Sequence, residues 1–291
     1  MSARRRLRFD LPLVHPVLGI TRRAGWLIEG EAGWGEWSPL PSWSGYAAAR
    51  AYRAAVEAAD QPFPASLAAE VAVNVMVPRV SPAVAGELVA SSGCSTAKVK
   101  VGDAASVLRV AAVREALGAT GRIRLDGNGA WDVDSAATML ARLEPYGIEL
   151  VEDPVATEHE LRRLRRRVRL PLAAEMCIRS VEDGVRVATG GAVDAVVLKP
   201  QRLGGAAAAL AVIERSPVPV IASSALESSV GLGAVLAVAA AVPPHRFAHG
   251  VATALLLADD VTSHPLLPVH GLLAPRRVVP DRLLAVTALA A

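Results

Sequence analysis

Seven polar residues recur along this chain at a nearly constant interval, and most of them close a short apolar run. They are Lys100, Asp126, Glu152, Glu175, Lys199, Ser224 and His249, separated by 26, 26, 23, 24, 25 and 25 residues. The runs ahead of them read AKVK, IRLD, IELVE, PLAAE, AVVLK, VPVIASS and RFAH. A strand, a crossover helix and two short loops take roughly thirty residues or somewhat fewer, so this period predicts stacked βα units. Polar groups at the carboxyl ends of successive parallel strands converge on one mouth, where barrel enzymes place their chemistry. The spacing therefore predicts a barrel whose mouth gathers lysines and carboxylates into an active site.

The length, 291 residues, holds a full barrel and a small second unit. With 52% hydrophobic and 20% charged residues the chain is globular, and with 4% aromatics its core is built mainly from Ala, Val and Leu. Cys94 and Cys177 lack zinc-ligand spacing and read as free thiols in a reduced, cytoplasmic setting. The basic start MSARRRLRFDLPLVHP resembles an export signal, but Asp10, Pro12, His15 and Pro16 break any apolar stretch. The longest apolar run, 230–242, is shorter than the roughly twenty residues of a membrane span and reads as a buried barrel helix.

Net charge is only +3, and much of the basic excess sits in LRRLRRRVRL, residues 161–170. Leu161, Leu164 and Val168 have helical spacing, which predicts a solvated helix with arginines on its open faces. A phosphate-binding surface is the competing reading. No aromatic residues are interleaved there, and no glycine-rich nucleotide motif appears, so no nucleic-acid partner is expected.

Residues 1–70 depart from the period. LRFDLPL, AGWLIEGEAGWGEWSPL and AAARAYRAAVEAA read as strand, hairpin and helix, an α+β capping unit. Residues 71–265 form the barrel, with VAVNVMV (71–77) as its first strand, and 266–291 return to the cap. Asp103 and Asp134 are candidate N-caps of two crossover helices.

Asp126, Glu152 and Glu175 would end neighbouring strands and point into one mouth. Three ionised carboxylates held together need a cation, and a hard divalent ion with oxygen ligands suits them: Mg²⁺, with Mn²⁺ as substitute. Each acid taken alone is more simply a cap of the helix that follows it. Lys98 and Lys100 lie two apart on one strand face, which depresses the pKa of at least one and makes it a usable base. Lys199, three strands on, would face them across the mouth. A metal-held carboxylate substrate losing its α-proton to lysine is the reaction class these parts suit.

At these residues the chain resembles the enolase superfamily, whose lysine-and-magnesium chemistry is well known. Within it, the resemblance is to the muconate-lactonising subgroup and the o-succinylbenzoate synthase family. It rests on AKVKVG (97–102), RLDGNGAW (124–131), VEDP (151–154), AAEMC (173–177), VLKP (197–200), SSALESSVGL (223–232) and the cap motif GWGEWSPLPSWS (33–44). The resemblance implies a modified (β/α)7β TIM-type barrel with an N-terminal α+β capping domain. It implies Mg²⁺ held by Asp126, Glu152 and Glu175, Lys100 as base, Lys98 beside it and Lys199 as the opposed cation. Arg124 and Asn128 would support the site, and Ser223 and Ser224, with nearby backbone N–H groups, would receive a succinyl carboxylate.

The implied reaction is syn dehydration of a cyclohexadiene carboxylate to succinylbenzoate in menaquinone synthesis. N-succinylamino acid racemase or dipeptide epimerase activity is the alternative on the same scaffold, and a non-catalytic polyanion-binding barrel is the second. The cap loops 15–20 and 38–43 are expected to set specificity for a small-molecule carboxylate. One departure from the family pattern stands out: Asp-Glu is usual at the third metal position, whereas this chain reads Glu175-Met176. The longer side chain carries its carboxylate outward, which predicts weakened metal affinity.

Overall fold

The computed structural model describes residues 4–282. Its first layer is an antiparallel sheet of β1 (Arg6–Val17), β2 (Ile20–Gly30) and β3 (Gly33–Trp37), covered by α1 (Tyr46–Asp60). Alternation drives it: Phe9 and Leu11 are buried while Arg8 and Asp10, which alternate with them, face solvent. The buried stripe of α1 is Ala51, Ala55 and Ala59, at helical spacing. Small residues on both sides let helix and sheet approach closely. A Cβ on Gly35 would lie 1.8 Å from the Ala55 carbonyl oxygen.

The barrel strands are β5 (Val75–Val77), β6 (Thr96–Lys100), β7 (Arg122–Asp126), β8 (Ile148–Glu152), β9 (Leu172–Ala174), β10 (Ala195–Leu198) and β11 (Val220–Ala222), all parallel and in sequence order across the sheet. Parallel neighbours need crossovers, supplied by α2 (Pro82–Ser92), α3 (Ser106–Leu117), α4 (Val133–Leu143), α5 (Glu158–Arg165), α6 (Val181–Thr189) and the pair α7 (Pro200–Leu203) and α8 (Ala206–Ile213). After α9 (Ser229–Ala241), residues 249–250 close the sheet on itself: Gly250 bridges Ser223 and His249 bridges Val73. The eighth strand is thus reduced to two residues, and the curled sheet is the expected (β/α)7β barrel.

VAVNVMV is not one strand. Val71 and Ala72 form β4 and pair antiparallel with β12 (Leu272–Leu273), and only Val75–Val77 enter the barrel. The break falls where successive amides serve different partners: Val73 donates to the Gly271 carbonyl at 2.9 Å and Asn74 to that of His249 at 3.0 Å.

Two caps also differ from expectation. Asp132, not Asp134, caps α4, accepting from Ser135 N at 2.8 Å, while Asp134 sits in the first turn. Asp103 caps nothing; its carboxylate pairs with the buried Arg109 at 2.8 Å.

Helix α5 ends at Arg165, short of Val168, and buries Leu161 and Leu164. Its arginines are partly engaged: Arg162 pairs with Glu158, Arg165 with Asp194 and Arg167 with Asp134. Helix α9 has all but one of its 13 residues buried. Among the described residues no helix is long and apolar enough to cross a membrane. Arg277 reaches α1, donating to the carbonyls of Ala58 at 2.8 Å and Gln61 at 2.5 Å and stacking 4.0 Å from the Phe63 ring. Residues 283–291, part of the segment expected to return to the cap, lie outside the described residues.

Candidate active site

Lys100, Asp126 and Glu152 are the last residues of β6, β7 and β8, and Glu175 and Lys199 directly follow β9 and β10. Parallel pairing sets Lys100 beside Asp126 and Asp126 beside Glu152, so the side chains rise from one rim. Strands β6 and β10 have three strands between them, which places Lys100 and Lys199 on opposite sides of an eight-position ring. Lys98, Lys100 and Lys199 all line a cavity of about 70 Å³, together with Ser223 and Ser224. The cap contributes Val17, Leu18, Ile20 and Leu40 to its walls, all within the loops expected to set specificity.

Every carboxylate at the rim except Asp153 has a cationic partner. Lys98 Nζ lies 2.9 Å from Asp126 Oδ2 and 3.0 Å from Glu152 Oε1. Lys100 Nζ lies 2.7 Å from Asp126 Oδ2 and donates to Asn128 Oδ1 at 2.7 Å. Lys199 Nζ lies 2.8 Å from Glu175 Oε2, and Arg202 Nη1 2.7 Å from Glu175 Oε1.

Burial and pairing compete at each group. Burial pushes Lys98 down, but Asp126 and Glu152 outweigh it and hold its pKa above the ordinary lysine range. At Lys100 burial wins over the pull of Asp126, helped by the like charge of Lys98, and its pKa is lowered. Burial raises the carboxyl of Glu152. It is outweighed by Lys100 and Lys98 at Asp126, and by Lys199 and Arg202 at Glu175, so both are lowered.

Among the described residues, the acids whose oxygens approach one another closely enough to share an ion are Glu152, Asp153 and Glu175, within 4.8 Å. These all-oxygen donors fit a hard divalent cation. Asp126, in register beside Glu152, pairs with Lys98 and Lys100. Asp153 was not expected, because alternation turns the residue after a strand-end glutamate away from it. Its φ of +42° breaks that alternation and carries its carboxylate under the third acid, where it accepts from Glu175 N at 3.0 Å and Met176 N at 2.9 Å. Burial, then Glu175, raises its pKa well above the carboxylate range. Arg202, also unforeseen, lies one helical turn beyond Lys199. That i, i+3 spacing is its sequence signal.

Three supporting residues sit differently from one another. Asn128, at φ +48°, holds Lys100 directly. Arg124 lies a layer deeper, bound to Glu149 Oε2 at 2.7 Å and the Ala248 carbonyl at 2.6 Å, and is absent from the cavity lining. It supports barrel closure rather than the mouth. Ser224 Oγ shares a 2.6 Å hydrogen bond with Thr253 Oγ1. The backbone N–H groups expected to receive a carboxylate there are already engaged: Ser223 N donates to Leu198 O, Ser224 N to Gly250 O and Ala225 N to Glu227 Oε2. The hydroxyl residues that line the cavity are Ser223, Ser224 and Thr253. His249 falls inside the barrel, its Nδ1 accepting from Ala222 N at 3.0 Å.

A family model described as Enolase C-terminal domain-like matches residues 81–282, and one described as Enolase N-terminal domain-like matches 9–59. The o-succinylbenzoate synthase of Thermobifida fusca is 50% identical over 275 residues, covering 93% of this chain and 87% of that protein. That of Mycolicibacterium smegmatis is 43% identical over 278 residues, covering 93% and 85%. Among solved structures, muconate lactonizing enzyme from Pseudomonas fluorescens superposes with a TM-score of 0.81 at 18% identity, covering 98% of this chain and 96% of that one. The L-Ala-D/L-Glu epimerase of Bacillus subtilis gives 0.79 at 20% identity, covering 98% and 99%. At those identities the structures speak for the fold, while the family matches and the synthases speak for descent: this chain belongs to the enolase superfamily and, within it, to the o-succinylbenzoate synthase family.

Proposed function

We propose that this chain is an o-succinylbenzoate synthase, dehydrating 2-succinyl-6-hydroxy-2,4-cyclohexadiene-1-carboxylate to 2-succinylbenzoate. The observation that carries the reading is Lys100: a buried ammonium at the cavity wall whose pKa is lowered, held by Asp126 and Asn128 and opposed across the ring by Lys199. A base poised below the ordinary lysine range takes a proton near neutrality more readily than a free lysine.

Lys100 accepts the proton α to the substrate carboxylate, and the electron pair moves into an enediolate. The C–O bond at the neighbouring ring carbon then breaks, the ring becomes aromatic, and Lys100 returns its proton to the departing hydroxyl to give water. Taking and returning the proton on one face is what a syn elimination requires. Lys199 faces the opposite side of the ring, where its charge stabilises the electron-rich system by a cation–π contact. Lys98 holds Asp126 and Glu152 in place. The Ser223 and Ser224 hydroxyls meet the succinyl carboxylate. Glu152 and Glu175, with Asp126 beside Glu152 on the rim and Asp153 within reach of both glutamates, would hold a divalent cation, Mg²⁺ or in its place Mn²⁺, which would supply Lewis-acid stabilisation of negative charge on the substrate carboxylate.

The test is product formation with Mg²⁺ and with chelator, for wild type and Lys100→Ala. Metal-dependent aromatisation falling about 10²–10⁴-fold in the variant is expected for a lost general base. A metal-loaded wild type that makes no aromatic product, but exchanges the α-proton of N-succinylamino acids or dipeptides in D₂O, would overturn it. Such exchange would use Lys100 and Lys199 as two opposed bases.

A further inference from the structure

Where the cap meets the barrel, a second cavity, of about 40 Å³, is lined by Glu36, Gln201, Glu227 and Gly231, with Phe63 and Val235 among its apolar walls. Three of its polar side chains are buried, Glu36 at 3%, Gln201 at 4% and Glu227 at 1% exposed, while Glu57, half-buried and accepting from Ala207 N at 2.9 Å, and the exposed Gln61 line its outer side. Their hydrogen bonds separate what is satisfied from what is not. Glu36 is saturated. Its Oε1 accepts from Ser38 Oγ at 2.6 Å and Ser228 N at 3.1 Å, and its Oε2 from Gly231 N at 3.0 Å and Ser228 Oγ.

Glu227 uses only Oε2, on Ala225 N at 2.5 Å. Gln201 donates weakly from Nε2 to Glu36 O and Ser38 Oγ, each at 3.4 Å. Glu227 Oε1 and Gln201 Oε1 have no partner among the described residues. Both are acceptors, so what they lack is a donor or a cation.

Charge decides between the two. The buried guanidinium here is Arg23, and it donates to the carbonyls of Leu226, at 3.0 Å, and Ser38 rather than to either carboxylate. Among the buried groups, two carboxylates against one guanidinium leave one negative charge in excess, and the half-buried Glu57 adds to it. A water molecule can bond both orphan oxygens but leaves that charge unbalanced, whereas a single positive ion meets both needs. The cavity exceeds the roughly 10–15 Å³ one water-sized particle requires. One excess charge is matched by a monovalent ion, whereas a divalent ion would overshoot it and leave the buried seam positive.

We propose that this seam cavity is a monovalent-cation site, for a potassium- or sodium-sized ion, with Glu227 Oε1 and Gln201 Oε1 as its protein ligands. The site bears on the chemistry through α7: Gln201 lies two residues beyond Lys199, so an ion gripping Gln201 steadies the segment that holds the opposed lysine. That last consequence rests on the synthase reading; ion binding itself does not.

The experiment uses the wild-type chain in chelator and tetramethylammonium chloride, with K⁺, Na⁺ or Rb⁺ exchanged in at constant ionic strength. A saturable rise in Tm of about 2–4 °C, differing among the ions, is expected. Crystals soaked in Rb⁺ should show an anomalous peak between Glu227 and Gln201. The shape-conserving Glu227→Gln should abolish the shift, and Gln201→Leu should weaken it.

A Tm indifferent to cation identity, an unchanged shift in Glu227→Gln, or crystals without the peak would overturn the proposal. So would a Tm that rises on acidification through neutrality with no cation dependence, because a proton would then be meeting the excess charge. Divalent-dependent aromatisation, measured separately, stays informative about the synthase reading whichever way this falls.

Discussion

Glu175 gives one oxygen to Lys199 and the other to Arg202, so both are engaged before any ion arrives. An aspartate, one methylene shorter, would not reach as far toward both partners. Divalent binding here must loosen a buried ion pair, and breaking such pairs is costly. We expect Arg202→Gln to tighten Mg²⁺ affinity about tenfold, a change of roughly 1.4 kcal/mol, in calorimetric titrations. Affinity that stays the same or falls would show that Arg202 does not compete with the ion. Asn128 gives a second prediction at this scale. It accepts from Lys100 at 2.7 Å, so Asn128→Ala should lower kcat about 10-fold or more with little change in KM, as Lys100 loses its aim. A pure KM effect would place Asn128 in substrate binding instead.

At the scale of elements, the seam between α1 and the cap sheet depends on absent side chains. Gly35→Ala would drive a Cβ into the Ala55 carbonyl, backbone that cannot swing away. It should cost about 1–3 kcal/mol or more in urea unfolding, the range for overpacking a close-packed interface. Barrel strands β6 to β11 were legible because a polar residue at or just past the end of each punctuates them, and their period survives any choice of core residue. Asp153 and Arg202 were not. A left-handed φ at Asp153 cancels the alternation from which side-chain direction is read, and Arg202 meets Glu175 only because β9 and β10 are neighbours in space. The division of VAVNVMV was hidden for a similar reason, since its partner β12 lies some two hundred residues on. Arg124 shared a face with Asp126, as spacing implied, but depth within a barrel is set by strand tilt and register rather than by face.

For the molecule as a whole, ring closure rests on residues 249–250, and His249 sits in that joint. Burial, then His245 and Arg124, pushes its pKa down to about 3, so it is neutral in the fold and must be charged in the unfolded chain below about 6.5. Between those values the unfolded state binds the extra proton, and stability falls as pH falls. Glu36 runs the other way. Burial and Glu227 raise it to about 7, so the fold binds its proton first and gains stability as pH falls toward 4.5. Comparing wild type with His249→Asn, which keeps an acceptor for Ala222 N and shares Glu36, isolates the histidine. From pH 7 to 5 the wild type should lose about 2 kcal/mol relative to the variant in urea midpoints. Parallel pH profiles would remove His249 from the account of acid sensitivity.

The grip of Arg277 on α1 joins segments 216 and 219 residues apart. On a ribosome, α1 would emerge and wait through the synthesis of every barrel strand before its clasp arrived. The cap can dock firmly only after the ring beneath it exists, so during translation the rim of charged side chains stays open to water, and a shielded reaction chamber is among the last features of the newborn chain to form.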